Sequence, residues 1–458
     1  MWGDIRDSLR GIRHDYTSGS IGQAIFLLAV PMVLEMVMES LFAVSDVFWV
    51  GRLGPDAVAT VGLTESMMII VYTLAVGLSI AVTATVARRT GEKDPDGAAR
   101  SAVQGIVIAA LVSGSLAALG AFFAPALLSA MGASPTVLAS GTTFTRVMLG
   151  GSSTAFLLFI INGAFRGAGD AYISMRALWF SNAINIVLGP ILIFGVGPFP
   201  RLGVAGAAIA TTIGRGSGAL FVLSRLAKGS AHLAVKRKHV RLDLTLMARM
   251  VRLSWNGTFQ VLVSSLSWIG LVRIMAGFGS VPMAGYTIAI RIILFALLPA
   301  YGLGNAAATM VGQSLGAKNP ARAEESVWTA ARYNMMFLGA MAVLFLVFAR
   351  TIVSAFTTDA GVADVATFGL RMVAAGFPFF AFGGVVTQAF NGAGDTWTPT
   401  KINLGVFWVF EIPLAWVFAS RTGAGYRGVF IAVSVAYTVL AFVSAGLFRR
   451  GKWKLKHV

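Results

Sequence analysis

The sequence contains no cysteine. That absence excludes disulfides, thiolate chemistry and any zinc or iron–sulfur site that needs sulfur ligands, and it fits either redox compartment. Histidine is almost as scarce. The four, His14, His232, His239 and His457, fall in tails and one loop without paired spacing, so no metal site is expected. Charged residues make up only 12% of the 458 positions, and acids number 19 against 36 Lys and Arg. No Gly-Lys-Ser/Thr follows the glycine-rich turns, and no nucleophile elbow or Ser/His/Asp grouping occurs. ATP hydrolysis is thereby excluded as an energy source, and no cofactor is expected. No cleavable leader is visible either: the first twenty residues are polar, with Arg6, Arg10 and Arg13 balanced by Asp4, Asp7 and Asp15. Trp2, Ile5, Leu9 and Ile12 recur there at helical spacing and predict a short interfacial helix.

What the chain has is apolar surface. Hydrophobic residues account for 57% of it, and the mean hydropathy is +0.78. A soluble protein cannot hide that much, whereas twelve spans of roughly 20 to 25 residues use a little over half of the chain and leave only loops. The fold class is an all-α polytopic membrane protein. Long apolar runs place the spans at 21–50, 57–87, 102–128, 140–165, 175–196, 203–226, 251–276, 281–311, 333–356, 365–390, 402–419 and 426–448. Pro31, Pro378 and Pro413 are expected kink sites, because each removes a backbone donor.

The net charge of +17 invites a nucleic-acid reading, but the distribution opposes it. Basic residues gather in both tails and alternate loops: Arg88, Arg89, Lys93 and Arg100; Arg166 and Arg176; the cluster from Arg225 to Arg252; Lys318, Arg322 and Arg332; Lys401. Both termini and the long basic connection are therefore expected to be cytoplasmic, with lipid as the surrounding partner. The expected organisation is a cytoplasmic N-terminal segment at 1–20, a first lobe at 21–226, a basic linker at 227–250, a second lobe at 251–448 and a basic tail at 449–458.

The two halves repeat. One ungapped offset of 225 residues aligns Gly54 with Gly279, Ala81 with Ala306, and Gly91, Lys93 and Pro95 with Gly316, Lys318 and Pro320. It also aligns Gly167-Ala168-Gly169-Asp170 with Gly392-Ala393-Gly394-Asp395, and Gly203-Val204 with Gly428-Val429. An even number of spans per half predicts two parallel six-helix lobes related by a pseudo-two-fold axis along the membrane normal, with a cleft that opens alternately to either side. The Gly-Ala-Gly-Asp turns read as span ends, with Asp capping the next segment, and Gly214-x-x-x-Gly218 as a close helix contact.

Charges inside the spans carry function by default. Five acids qualify: Glu35, Glu39, Asp46, Glu65 and Glu411. On the helical wheel Glu39 lies about 40° and Asp46 about 20° from Glu35, so three carboxylates share one stripe of the first span. Crowded carboxyls away from water share protons, which makes the stripe a candidate proton site. Solvation or a salt bridge in an open vestibule is the alternative for Glu35, and also for Glu39 and Asp46. The repeat places Gln260, Ser264 and Leu271 at the matching positions, which confines this chemistry to the first lobe. Glu411 is expected either to pair with Arg291 as a structural element or to act functionally, since an unpaired charge is costly.

The order of these features resembles the multidrug and toxic compound extrusion (MATE) family, in its prokaryotic DinF-like branch, over essentially the whole chain. The likeness rests on Pro31, on Asp46-Val47-Phe48-Trp49-Val50-Gly51-Arg52-Leu53-Gly54, on Gly91-x-Lys93-x-Pro95, and on Ala-Phe-Arg-Gly-Ala-Gly-Asp at 164–170 with its copy at 389–395. The resemblance implies a cation-coupled antiporter that expels bulky, often aromatic or cationic compounds, with small drug-like molecules as partners and no enzymatic activity. It implies that Asp46 couples to the cation, joined by Asn185 and Thr211. Relatives often carry Asp where this chain has Gly189 in Asn185-x-x-x-Gly189-Pro190. Loss of a hard oxygen ligand weakens a sodium site, so H⁺ is favoured over Na⁺ as the coupling ion. Met32, Met36, Met67, Phe379, Phe380 and Gln260 are candidates to line the substrate cleft, since sulfur and π faces adapt to flat cations. A monomer is expected. Two other readings remain at this point: a flippase for lipid-linked or large amphiphilic substrates, and an intramembrane enzyme using Glu35 and Glu39 as an acid pair.

Overall fold

The computed structural model describes residues 14–230 and 233–456; the N-terminal helix expected over Trp2–Ile12, together with His232 and His457, lies outside them. Among the described residues there are helices and no strands. The first six helices are α1 (Ile21–Gly51), α2 (Pro55–Gly91), α3 (Pro95–Ala130), α4 (Pro135–Gly167), α5 (Ala171–Phe194) and α6 (Val204–Lys228). The next set comprises α7 (Leu244–Ala276), α8 (Ser280–Gly316), α9 (Pro320–Ser354), α10 (Ala360–Ala375), α11 (Phe377–Gly392), α12 (Trp397–Ser420) and α13 (Arg427–Arg449). Eleven are long and apolar enough to cross a membrane, and α10 with α11, bent by 54°, makes a twelfth. The all-α polytopic architecture read from composition is borne out. Phe122, Leu220, Val409 and Phe442 are each two-thirds exposed or more, an apolar surface suited to hydrocarbon.

Most helices outrun the expected spans because their polar ends keep helical geometry. Pro55, Pro95, Pro135 and Pro320 occupy first positions, where the missing amide hydrogen costs nothing. Asp94 accepts from Gly97 N at 2.8 Å, and Asn319, its counterpart, accepts from Arg322 N at 3.0 Å. The residue before each cap, Lys93 and Lys318, adopts the left-handed conformation at φ 58° and 57°. A side chain there costs roughly 1–2 kcal/mol, and the two halves repeat it 225 positions apart. The helix bounds follow the same offset: α2 and α8 are both 37 residues, and α4 at 135–167 maps onto 360–392.

That copy is broken where α4 is continuous. Gly376 ends α10, and Pro378, in the first turn of α11, cannot extend the amide ladder backward, so the expected kink becomes a break. In α12 the segment Leu404–Glu411 is π-helical and ends two residues before Pro413. Pro31 stays inside an unbroken α1.

Two compact units divide the chain, one built on Leu34–Thr258, the other on Asp15–Val33 with Phe259–Val458. The chain passes between them inside α1 and inside α7, at positions again 225 apart. In the N-terminal unit α4 packs on α2, α3 and α6, around Phe156, Ile160 and Phe165. In the C-terminal unit α8 packs on α9, α10 and α11. A Cβ at Gly77 would lie 2.5 Å from Thr258 N, and one at Gly302, its counterpart, 2.7 Å from Val33 N. Each unit thus uses a glycine to seat the helix segment that the other half of the sequence begins or ends.

At the Gly-Ala-Gly-Asp turns, Asp170 N donates to Phe165 O at 2.8 Å and Asp395 N to Phe390 O at 2.9 Å. The expected side-chain caps differ. Asp170 makes no capping bond to a helix amide, and Asp395 accepts instead from Thr398 Oγ1 at 2.7 Å.

Candidate functional site

The acid stripe of α1 lies in the N-terminal unit, and two of its three carboxylates have basic partners. Glu35 is fully buried, and Arg166 donates to it from Nη1 to Oε1 at 2.7 Å and to Ser79 Oγ from Nη2 at 3.2 Å. Glu39 is held by both arms of Arg215, Nη2 to Oε1 at 2.5 Å and Nη1 to Oε2 at 3.2 Å, with Asn182 Nδ2 donating to Oε2 at 3.1 Å. The Arg215 guanidinium also lies 4.8 Å from the centre of the Phe42 ring. The salt-bridge alternative therefore holds for two of the three acids. Glu35 and Glu39 are the acidic halves of ion pairs that span α1–α4 and α1–α6.

Asp46 differs. It is half-buried, makes no ion pair or hydrogen bond with a described residue, and feels the charges of Glu65 and Arg215. Tyr72 of α2 senses Arg215, Glu39, Glu65 and Asp46 together, so these five side chains form one electrostatic group on α1, α2 and α6. Asn185 of α5 donates from Nδ2 to Thr211 Oγ1 of α6 at 2.8 Å, which joins two of the expected cation-site residues to each other and neither of them to Asp46 by a hydrogen bond. The helices that carry them pack closely because Gly214 and Gly218 face Ser181 O and Ala177 O of α5. Gly189, one turn beyond Asn185, is buried, yet a Cβ there would meet nothing within 4 Å. The space for the absent fifth-span carboxylate is present.

The cleft candidates scatter. Met32 is fully buried and belongs to the C-terminal unit, whereas Met36 and Met67, half-buried, belong to the N-terminal unit. Burial removes Met32 as a substrate-facing side chain in this state. In the C-terminal unit Phe379 is exposed, Phe380 packs on Tyr437 with ring centres 4.6 Å apart, and Gln260 is buried with Oε1 unpartnered. The expected Arg291–Glu411 pair does not form: Arg291 is exposed and Glu411 buried. Arg166 and Arg215 are the functional candidates that sequence reasoning passed over. The sequence places Arg166 in a cytoplasmic loop, and Arg215 stands inside an apolar span, where the rule that singles out the acids applies equally to bases.

Apolar spans, up to twelve among the described residues, and a buried group of charges describe a polytopic membrane protein. A family model described as MatE matches residues 31–191 and 258–417, and the chain belongs to that family of multidrug efflux transporters. It is not an enzyme. Among curated relatives, "Probable multidrug resistance protein YoeA" of Bacillus subtilis (strain 168) is 26% identical over 443 residues, 96% of each chain. The "FAD transporter" of Shewanella oneidensis is 23% identical over 443 residues, again 96% of each. A solved structure described as "Outward-facing conformation of a multidrug resistance MATE family transporter of the MOP superfamily" superposes with a TM-score of 0.90 at 26% identity, covering 96% of this chain and 98% of that one.

Proposed function

We propose that this transporter is an antiporter that exchanges protons for bulky organic compounds, often cationic or aromatic, by alternating access, in the inner membrane of a prokaryote with both termini cytoplasmic. The observation that carries the reading is Asp46. It is the one acid of the α1 stripe that no arginine neutralises, and it sits in the electrostatic group of Glu39, Glu65, Tyr72 and Arg215. A carboxyl so placed binds either a proton or a cationic ligand, and competition between the two is coupling. Arg215 holds Glu39 and thereby fixes the field around Asp46. The Asn185–Thr211 pair supplies polar ligation on the neighbouring helices. Gly189 leaves a sodium ion one carboxylate short, which favours the proton.

Charge arithmetic supports cationic substrates. Arg166 and Arg215 are each matched by a glutamate, so the surplus on α1 is the negative charge of Asp46. A dinucleotide such as one curated relative is named for would meet that surplus with repulsion.

The test is efflux of a fluorescent aromatic cation from proteoliposomes under separately imposed proton and sodium gradients. The proton gradient alone should drive efflux by the wild type, and Asp46→Asn should abolish it. Drive by sodium alone, or full proton drive in the variant, refutes the reading.

A further inference from the structure

The C-terminal unit holds a carboxyl for which this scheme has no use. Glu411 closes the π-helical segment Leu404–Glu411 of α12, two residues before Pro413. It is 3% exposed and forms no ion pair or hydrogen bond among the described residues. The bases on the surrounding helices turn elsewhere. Arg273 of α7 and Arg291 of α8 are exposed, Arg371 of α10 donates to Leu346 O, and Lys401 of α12 lies over Trp397. On α13, Arg427 lies over Phe368 and Arg449 over Trp328.

The groups that sense Glu411 are phenols. Tyr286 of α8 and Tyr437 of α13 both feel its charge, and Tyr301 of α8 and Tyr437 pack on the same ring, Phe380. Tyr286 and Tyr437 are each 2% exposed, and neither hydroxyl has a hydrogen-bond partner among the described residues. An ionised carboxylate is costly in such surroundings, and a buried hydroxyl without an acceptor adds to the cost. A purely structural role would be better served by an apolar side chain. One proton on the carboxyl removes the largest of these costs. If that proton leaves, Tyr286 and Tyr437 carry hydroxyls that no described residue engages, and both feel the carboxylate's charge. The π-helical backbone, a form that recurs at functional positions, supplies local freedom for the approach.

We propose that Glu411 is a second proton-binding carboxyl, carried by the C-terminal unit: it is protonated in the state described, and when it releases its proton to water the hydroxyls of Tyr286 and Tyr437 donate hydrogen bonds to the carboxylate. No bond other than O–H is made or broken, and the tyrosines keep their protons. The inference rests on the proton-coupled reading and adds to it a second proton per cycle.

Two measurements on the full chain in lipid test it. The first is an infrared difference spectrum between acid and alkaline pH. Wild type should show a protonated-carboxyl band that Glu411→Gln lacks and Asp46→Asn retains, and Tyr286→Phe should displace the pH midpoint of that band without removing it. The second is equilibrium accumulation of a fluorescent aromatic cation in vesicles at zero membrane potential. Accumulation should change about a hundredfold per pH unit of gradient for wild type and about tenfold for Glu411→Gln. A Glu411→Gln spectrum identical to wild type, or an unchanged accumulation ratio, overturns the proposal. Should Glu411→Gln prove inactive in transport, or fail to fold, the decision falls to the infrared arm: a band that Tyr286→Phe leaves at its wild-type midpoint overturns it equally. Loss of proton drive in the wild type would instead refute the reading of Asp46, and the Glu411 band is observable independently of that result.

Discussion

Arg215 grips Glu39 across 176 positions of sequence with both arms of its guanidinium, and Asn182 closes the remaining side of the carboxylate. Removing one half of a buried pair strands the other, so Arg215→Ala should cost about 3–5 kcal/mol in stability. Arg215→Lys should lose a large part of that, since an ammonium cannot bond two oxygens side by side. Thermal unfolding in lipid nanodiscs reads the loss. A double-mutant cycle with Glu39→Gln should return a coupling well above that of a surface pair, and a coupling near zero would show that the two act independently.

Glu35 and Asp46 lie on the same helix and should behave oppositely. Glu35 is neutralised by Arg166 with one oxygen left unpartnered, so it belongs to the scaffold. Glu35→Gln should lower stability while leaving the number of protons exchanged per substrate unchanged, whereas Asp46→Asn should fold normally and lose gradient-driven efflux. Parallel measurements of unfolding temperature and of efflux under a proton gradient separate the two. A stable, uncoupled Glu35→Gln would reverse the assignment.

The space at Gly189 allows a gain of function. Since a Cβ there meets nothing within 4 Å, Gly189→Asp should fold with little change in stability. It should also create sodium affinity. A ligand at 100 times its Kd stabilises by about 2.7 kcal/mol, so sodium should raise the unfolding temperature of the variant and not of the wild type. Equal sodium responses in the two proteins would exclude a metal site at Asn185, Thr211 and position 189.

Glycines at helix contacts should divide sharply. Gly77→Ala places a carbon 2.5 Å from a backbone nitrogen and Gly302→Ala places one 2.7 Å from another, so each should cost about 1–3 kcal/mol. Gly62→Ala, in the same helix as Gly77 but in open space, should instead stabilise by up to about 1 kcal/mol through helix propensity. Unfolding temperatures of the three variants provide the check.

The parts of this molecule legible in sequence are those governed by local periodicity. Span count, the 225-residue repeat, the break at Pro378 and the tight contact at Gly214 and Gly218 all depend on neighbours within a turn or on self-similarity. The hydrogen-bonded contact of Asn185 with Thr211 brings together two residues that the family resemblance had singled out. The ion pairs were hidden for a different reason. A helical wheel places Glu35 and Glu39 on one face of α1 but is silent about the opposing helix, and their partners lie 131 and 176 residues away. Arg166 was misplaced because it ends an apolar run, where an arginine ordinarily reaches water, while its helix continues to Gly167 and buries it. The π-helical segment that Glu411 closes has no periodic signature, since its other residues are apolar on every side.

The exchange of segments inside α1 and α7 bears on how the chain is made. Residues 15–33 leave the ribosome well before the rest of their body, 259–458, has been made. During most of translation that early stretch has no partner, and the N-terminal unit in turn waits for residues up to 258 to fill the seat at Gly77. A chain cut in the basic linker at 227–250 would yield two fragments, each missing a piece of itself and carrying a piece of the other. Such fragments should mature only when produced together, and the boundary most obvious in the sequence is the one at which this protein cannot be divided.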